Sequence, residues 1–195
     1  MAQPKAPAKF VSNKLGQLVT PKGAALFVSC PAASQFDDSK QEASILLTAD
    51  DYAVLKGQLD ALVASYEGEL VVDPATMEMP VKDATDKEGA PTGDFIIKAK
   101  TGMQYPAKLY DAAGKPFAPT PGFSVANRST IKLSVSAELI NTKVYKGLVL
   151  RLNAVQIISS NPFQGANPFG AEDGDFNGGD TPVAVIDEDT ASWAD

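Results

Sequence analysis

The sequence contains no histidine and a single cysteine, Cys30, among its 195 residues. Without histidine, serine and cysteine nucleophiles lack their usual base, and most zinc and non-haem iron sites lack their usual ligand. One cysteine excludes an internal disulfide and a thiolate metal site, so we expect Cys30 to be a small buried residue in a reducing cytoplasm. These absences favour a protein that is not an enzyme and that needs no metal or cofactor.

Long apolar runs are also missing. No stretch approaches the roughly 18 apolar residues of a membrane-spanning helix, so no membrane partner is expected. The first nine residues combine Pro, Ala and Lys with no apolar run behind them. We expect residues 1–9 to form a flexible basic arm and not a secretory signal, and the protein to be intracellular.

Charge is arranged in blocks along the chain, although the net charge is −7. Residues 1–36 have four lysines and no acid, and residues 94–159 have nine Lys or Arg against three acids. Residues 37–93 have thirteen acids against four lysines, and residues 160–195 have eight acids and no base. The basic stretches offer an anion-binding face, for which the acidic C-terminal segment can compete.

Short apolar or alternating runs separated by turn residues predict strands through most of the chain. These runs cover residues 10–20, 24–30, 43–48, 94–100, 131–136 and 148–153. Between them, residues 50–67 have a helical apolar period, with Thr48 and Asp51 resembling a capping box and Gly68 as the stop. Residues 69–93 are predicted to be a solvated acidic excursion, and residues 109–117 a short hairpin turn.

About six to eight short strands with one helix predict a mainly all-β fold over residues 10–159. We expect an OB-fold-like, partly open barrel with one α-helix inserted, the small barrel whose usual task is nucleic-acid binding. A jelly roll or β-sandwich remains an alternative, because the number of strands does not fix their topology.

Cations and aromatic residues are concentrated in residues 94–151. Binding of single strands without sequence preference needs a cationic groove for phosphates and aromatic faces for bases. Four of the cations fall on the polar phase of alternating strands, whereas three aromatics lie in turn-rich sequence, where stacking and core packing are equally open. The candidate DNA-binding residues are Lys98, Lys100, Tyr105, Lys108, Tyr110, Lys115, Phe117, Arg128, Lys132, Lys146 and Arg151.

Residues 160–195 have the composition of a disordered acidic tail. They begin with a linker containing two Asn-Pro-Phe steps and continue with acids that have no counter-charge. Interspersed apolar residues favour a peptide that docks on partner proteins over a tail that only raises solubility. The candidate partner-binding residues are Glu172, Asp173, Asp175, Phe176, Asp187, Glu188, Asp189 and Trp193.

The layout resembles the OB-fold single-stranded-DNA-binding proteins of bacteriophages that end in an acidic tail. The resemblance rests on a β-rich body of similar size, on residues 146–156 (Lys-Gly-Leu-Val-Leu-Arg-Leu-Asn-Ala-Val-Gln) and on Asn167-Pro168-Phe169-Gly170. It implies sequence-independent binding of single-stranded DNA in replication, recombination and repair, in the cytoplasm of an infected bacterium. It also implies frequent homodimers and a tail that contacts replication proteins such as polymerase or helicase and shields the groove when DNA is absent. Related tails often end on an aromatic residue, whereas here Trp193 is followed by Ala194 and Asp195.

Two other functions compete with this one. A structural or assembly protein of a virus particle, with a β-sandwich body, would share the strands but would not require cations and aromatics in one half of the chain. A magnesium-dependent nuclease would require carboxylates that converge on a metal. The sequence instead places Asp50 and Asp51 at a helix start and Asp37 and Asp38 in a loop.

Overall fold

The computed structural model describes residues 11–160. The predicted arm of residues 1–9 lies outside this range, as does all but the first residue of the predicted tail. Along the described chain the elements are β1 (Val11–Val19), β2 (Gly23–Val28), β3 (Lys40–Leu47), α1 (Ala49–Ala64), β4 (Val81–Thr85), β5 (Pro91–Gly102), β6 (Lys108–Tyr110), β7 (Thr130–Asn141) and β8 (Lys146–Ser159).

The eight strands of residues 11–160 belong to one sheet that closes on itself. Its ring of five strands runs β2, β3, β5, β8, β7 and back to β2. β7 and β8 form a long antiparallel hairpin, and β1 lies antiparallel along the other edge of β7. This confirms the expected OB-like barrel with one helix. The alternative, a jelly roll or β-sandwich, would have two sheets packed face to face, whereas these strands form a single closed sheet.

Alternating apolar residues of the strands fill the barrel. Ile45 on β3, Ile97 on β5, Leu133 on β7 and Leu148 on β8 are almost fully buried. Burying one such side chain stabilises the folded state by about 1.5–3 kcal/mol. The residues between them point outward, as the predicted alternation requires.

The helix packs on the barrel through Leu55, Leu59 and Val63, which recur at helical spacing and are buried. Thr48 is the N-cap, and its side chain accepts a hydrogen bond from the Asp51 N–H at 3.2 Å, which confirms the predicted cap. α1 ends at Ala64 and not near residue 67, so the predicted stop at Gly68 was wrong. At this end, the Ser65 N–H and hydroxyl donate hydrogen bonds to carbonyls of the last turn, which would otherwise lack partners.

Residues 81–85 form β4, where a solvated excursion was predicted, and β5 begins at Pro91 instead of Asp94. β4 pairs only with β5 and buries only Ala84, so its sequence lacks the apolar alternation of an inner strand. The carboxylate of Asp86 holds the turn between the two strands by accepting a hydrogen bond from the Ala90 N–H at 2.8 Å. The predicted turn in residues 109–117 is confirmed by a hydrogen bond of 3.1 Å from the Phe117 N–H to the Leu109 carbonyl.

No helix within residues 11–160 is both long enough and apolar enough to cross a bilayer.

Close approach of two backbones at Gly147 gives a test of this architecture. The Glu78 carbonyl accepts a hydrogen bond from the Leu148 N–H at 2.8 Å, and a Cβ at Gly147 would collide with that carbonyl. Gly147→Ala is therefore expected to lower the free energy of unfolding by roughly 1–3 kcal/mol. Gly57→Ala is the matched control, because Gly57 lies in α1 with open space around an added Cβ. It should raise the free energy of unfolding by roughly 0.5–1 kcal/mol. Urea denaturation measures both, and an unchanged Gly147→Ala protein would contradict the close approach.

Candidate nucleic-acid interface

A cleft of about 1160 Å³ opens on the outer surface of the barrel. Its walls come from β1, β5, β7 and β8, from the start of β3 and from the loops that follow β2 and β5. The polar, charged and aromatic side chains that line it are Lys14, Gln17, Ser39, Lys40, Lys100, Thr101, Gln104, Tyr105, Ser136, Glu138, Arg151 and Asn153.

Strand pairing gathers the cations of this cleft from distant parts of the sequence. Lys100 on β5 pairs with Arg151 across the seam between β5 and β8, and Arg151 also pairs with Ser136 of β7. Lys14 of β1 lies opposite Glu138 on the other edge of β7. Because all of them lie on the outward phase of their strands, barrel closure places their charges in one cleft.

A buried carboxylate lies between two of the lysines. The side chain of Glu42 is 4% exposed, and its Oε1 lies 2.9 Å from the Lys100 ammonium. Its Oε2 lies 2.7 Å from the Lys98 ammonium and forms an ion pair with it. Burial opposes ionisation of Glu42, but Lys100 and Lys98 outweigh it and hold the pKa of this carboxyl below its ordinary value.

Two further carboxylates hold cations of the cleft. The Arg151 Nε donates to Glu138 Oε2 at 2.9 Å. Burial raises the pKa of Glu138, but Arg151 and a hydrogen bond from Ser12 together lower it below its ordinary value. Lys40 pairs with Asp37, whose pKa falls to about 2 because Lys40 and Ser39 donate hydrogen bonds to it. The cations are thus partly neutralised while about half of each side chain stays open to solvent.

Tyr105 presents an aromatic ring at the rim of the cleft. The residue is 73% exposed, yet its backbone is held on both sides. The Tyr105 N–H donates to the Gly102 carbonyl at 2.8 Å, and the Thr101 hydroxyl donates to the Tyr105 carbonyl at 2.9 Å. An aromatic side chain on a fixed turn and open to solvent is suited to stacking on a ligand.

Three of the eleven predicted DNA-binding residues line the cleft: Lys100, Tyr105 and Arg151. Lys98 adjoins it through the carboxylate that it shares with Lys100. The other seven, which do not line it, are Lys108, Tyr110, Lys115, Phe117, Arg128, Lys132 and Lys146.

These seven residues are spread over several elements. Lys108 and Tyr110 lie on β6, and Lys115 lies in the turn after it. Phe117 packs edge-on against Phe123, with ring centroids 5.6 Å apart, on the barrel core. Arg128 is exposed in the loop before β7, Lys132 lies near the start of β7, and Lys146 is the first residue of β8.

The predicted tail residues, from Glu172 to Trp193, lie outside the described residues.

Sequence reasoning missed Lys14, Lys40 and Glu138, which line the cleft, and Glu42, which pairs with Lys98 and Lys100 beside it. Glu42 and Lys40 belong to the acidic block, and Lys14 stands alone in an N-terminal strand, so composition gave no reason to join them to residues 94–151. The alternation of apolar and polar residues in β1 and β7 indicates which side chains point outward. It does not indicate which strand lies beside each of them.

The remaining chemistry-bearing residues lie apart from the cleft. Cys30 is 1% exposed, which confirms the predicted buried residue, and this burial raises the pKa of its thiol to about 12. Asp50 and Asp51 lie in the first turn of α1, as predicted. Within residues 11–160, acidic and cysteine side chains do not form a group of three or more that could hold a metal ion.

Comparison with known proteins reveals the same barrel elsewhere. Neither a protein-family model nor a curated protein matches the sequence. Among solved structures, the single-stranded DNA-binding protein from bacteriophage Enc34 matches with a TM-score of 0.57 at 14% identity, covering 82% of this chain and 96% of that one. The chain shares its fold.

Two further solved structures match over similar lengths. The Enc34 protein in complex with single-stranded DNA has a TM-score of 0.56 at 16% identity, covering 82% of this chain and 98% of that one. The single-stranded DNA-binding protein gp2.5 of bacteriophage T7 has a TM-score of 0.50 at 15% identity, covering 80% and 98%. At such identities the likeness establishes the fold, and it agrees with the fold that the resemblance implied.

The pairing of Glu42 with two lysines predicts a pH dependence of stability. Because folding lowers the pKa of Glu42, its contribution is present above the pKa of the unfolded chain and is lost as the pH falls through the folded pKa. Glu42→Gln removes this titration, so the difference in Tm between wild type and variant should shrink between pH 7 and pH 3. Thermal unfolding across that range measures it. Glu88→Gln, in an exposed turn, is the control and should follow the wild type. Parallel curves for wild type and Glu42→Gln would contradict the pairing.

Proposed function

We propose that the protein binds single-stranded DNA without sequence preference, in replication, recombination and repair. The observation that carries the proposal is the cleft, where Lys14, Lys40, Lys100 and Arg151 surround a space bordered by the exposed ring of Tyr105. A shared fold with a bacteriophage protein solved in complex with single-stranded DNA supports this ligand. The proposed role is binding and not catalysis, in the cytoplasm of an infected bacterium.

The ion pairs of the free protein suggest how the DNA is held. Phosphates compete with Glu42 for Lys98 and Lys100 and with Glu138 for Arg151. The side chains of these three cations are about half exposed and therefore accessible to a ligand. Contacts to phosphates fix the position of a strand but carry no sequence information. Stacking on Tyr105 is equally tolerant, because every base has a flat face.

A single strand suits this site better than a duplex. Stacking on Tyr105 requires a base whose face is free, and in a duplex each face is covered by its neighbours. The one helix within residues 11–160 also carries Lys56 and Asp60 as an ion pair on its exposed side and offers no basic face for a major groove.

The acidic tail of residues 160–195 is proposed to compete with DNA for the cleft and to recruit replication proteins such as polymerase or helicase. Its eight acids without a base support the first role, and the apolar residues among them, including Phe176 and Trp193, support the second. On this proposal the chain is a basic arm (1–9), a DNA-binding barrel (10–159) and the tail. The resemblance also supports a homodimer.

The contribution of the cleft can be measured by fluorescence anisotropy with a labelled oligo-dT across a salt series. The double variant Lys100→Gln with Arg151→Gln should weaken binding and lower the slope of log K against log salt by about 0.7 for each phosphate that the variant no longer neutralises. Tyr105→Ala should cost about 1–3 kcal/mol of binding free energy and leave the slope unchanged.

Lys87→Gln is the control for the loss of a positive charge outside the cleft, since Lys87 is exposed in the turn between β4 and β5 and does not line the cleft. It should bind as the wild type does, and a labelled duplex of equal length should bind more weakly than oligo-dT. If Lys87→Gln and the cleft variants lost equal affinity for oligo-dT, binding would depend on the overall charge of the protein. That result would contradict the cleft as the binding site.

Removal of the tail tests the proposed competition. A chain ending at Ser160 loses eight negative charges, so it should bind oligo-dT more tightly than the full chain at low salt. The difference should diminish as salt screens the attraction between tail and cleft. Equal affinities of the two chains at low salt would exclude competition by the tail.

A further inference from the structure

Phe36 is a large apolar side chain that the fold leaves in solvent. It is 76% exposed, in the loop between β2 and β3. Its ring rests against that of Phe27, with centroids 5.8 Å apart and a tilt of 48°. A lone exposed apolar residue is common in folded proteins and needs no function. The case for Phe36 therefore depends on what surrounds it.

The loop of Phe36 is fixed to the turn that carries Tyr105. The Ser39 carbonyl accepts a hydrogen bond from the Met103 N–H at 2.9 Å. The buried side chain of Gln41 connects the same two segments, because its amide nitrogen donates to the Pro31 carbonyl and its oxygen accepts from the Ala107 N–H at 2.7 Å. Two exposed aromatic rings are thus carried by loops that are cross-linked to each other.

Phe27, beneath Phe36, lies on the same outer face as the lysines of the cleft. On β2, Phe27 pairs with Ser44 of β3, and Ser44 pairs with Lys98 of β5. Residues of neighbouring strands that pair in register point to the same side of the sheet. The row Phe27, Ser44, Lys98 therefore continues the cationic surface from the cleft toward Phe36.

We infer that Phe36, supported by Phe27, is a second base-stacking platform, and that a bound strand runs from the cleft over Lys100 and Lys98 to this ring. The inference rests on the proposed function and adds a residue to it. It makes the outer face of β2, β3 and β5 part of the binding path, with phosphates at the lysines and a base on Phe36. Stacking on a ring that is fixed before binding loses little conformational entropy.

The test separates stacking from charge by using two ligands of equal length, a labelled oligo-dT and a labelled abasic deoxyribose-phosphate oligomer without bases. Phe36→Ala and Phe36→Leu should weaken binding of oligo-dT by about 5-fold to 150-fold, the range of one stacked base. Phe36→Tyr keeps the aromatic face and should bind like the wild type. None of the three should change affinity for the abasic oligomer.

Folding of the variants is checked by thermal unfolding, where the exposure of Phe36 and its single ring contact with Phe27 predict only a small decrease in Tm. If a folded Phe36→Ala protein binds oligo-dT as tightly as the wild type does, the inference is overturned. Binding of oligo-dT by the wild-type protein would still support the proposed function in that case. Equal loss of both ligands would also overturn it, because a loss shared by a ligand without bases is not stacking. Failure of the wild type to bind oligo-dT at low salt would overturn the proposed function itself.

Discussion

The structure depends on the backbone pairing of β7. One edge of this strand pairs with β1 and β2, and the other edge pairs with β8 along almost its whole length. These ladders of hydrogen bonds close the barrel. The alternating apolar residues of each strand are thereby buried, and the polar residues between them point outward. The cleft is a consequence of the same closure, since Lys14 reaches it from one edge of β7 and Arg151 from the other.

Gathering cations in a cleft opposes folding unless their repulsion is offset. In this protein the offset comes from carboxylates on neighbouring strands, with Glu42 below Lys98 and Lys100 and Glu138 beside Arg151. The same carboxylates would limit affinity for an anionic ligand, because each phosphate must replace an existing partner.

Much of the fold was predictable because strands and helix ends have recognisable patterns of neighbouring residues. The alternation of Ile97, Lys98 and Ala99 identified a strand with one wet face, and Thr48 with Asp51 identified the helix start. Prediction failed for β4, because this strand is held by its pairing with β5 and its own sequence has little apolar alternation. The cleft was predicted in part, through Lys100, Tyr105 and Arg151, because these residues lie in a basic region of the sequence.

Local patterns in the chain specify which residues point inward and outward, where charge is concentrated, and that histidine-based chemistry is absent. Which of the outward residues meet is a property of the folded barrel. Lys14, Glu42 and Arg151 come from three separate strands, and their distance depends on strand order and register, which alternation within one strand does not specify. Packing likewise placed Phe117 on the barrel core and left Tyr105 and Phe36 exposed, because burial of an aromatic ring depends on the surfaces that the rest of the chain brings to it.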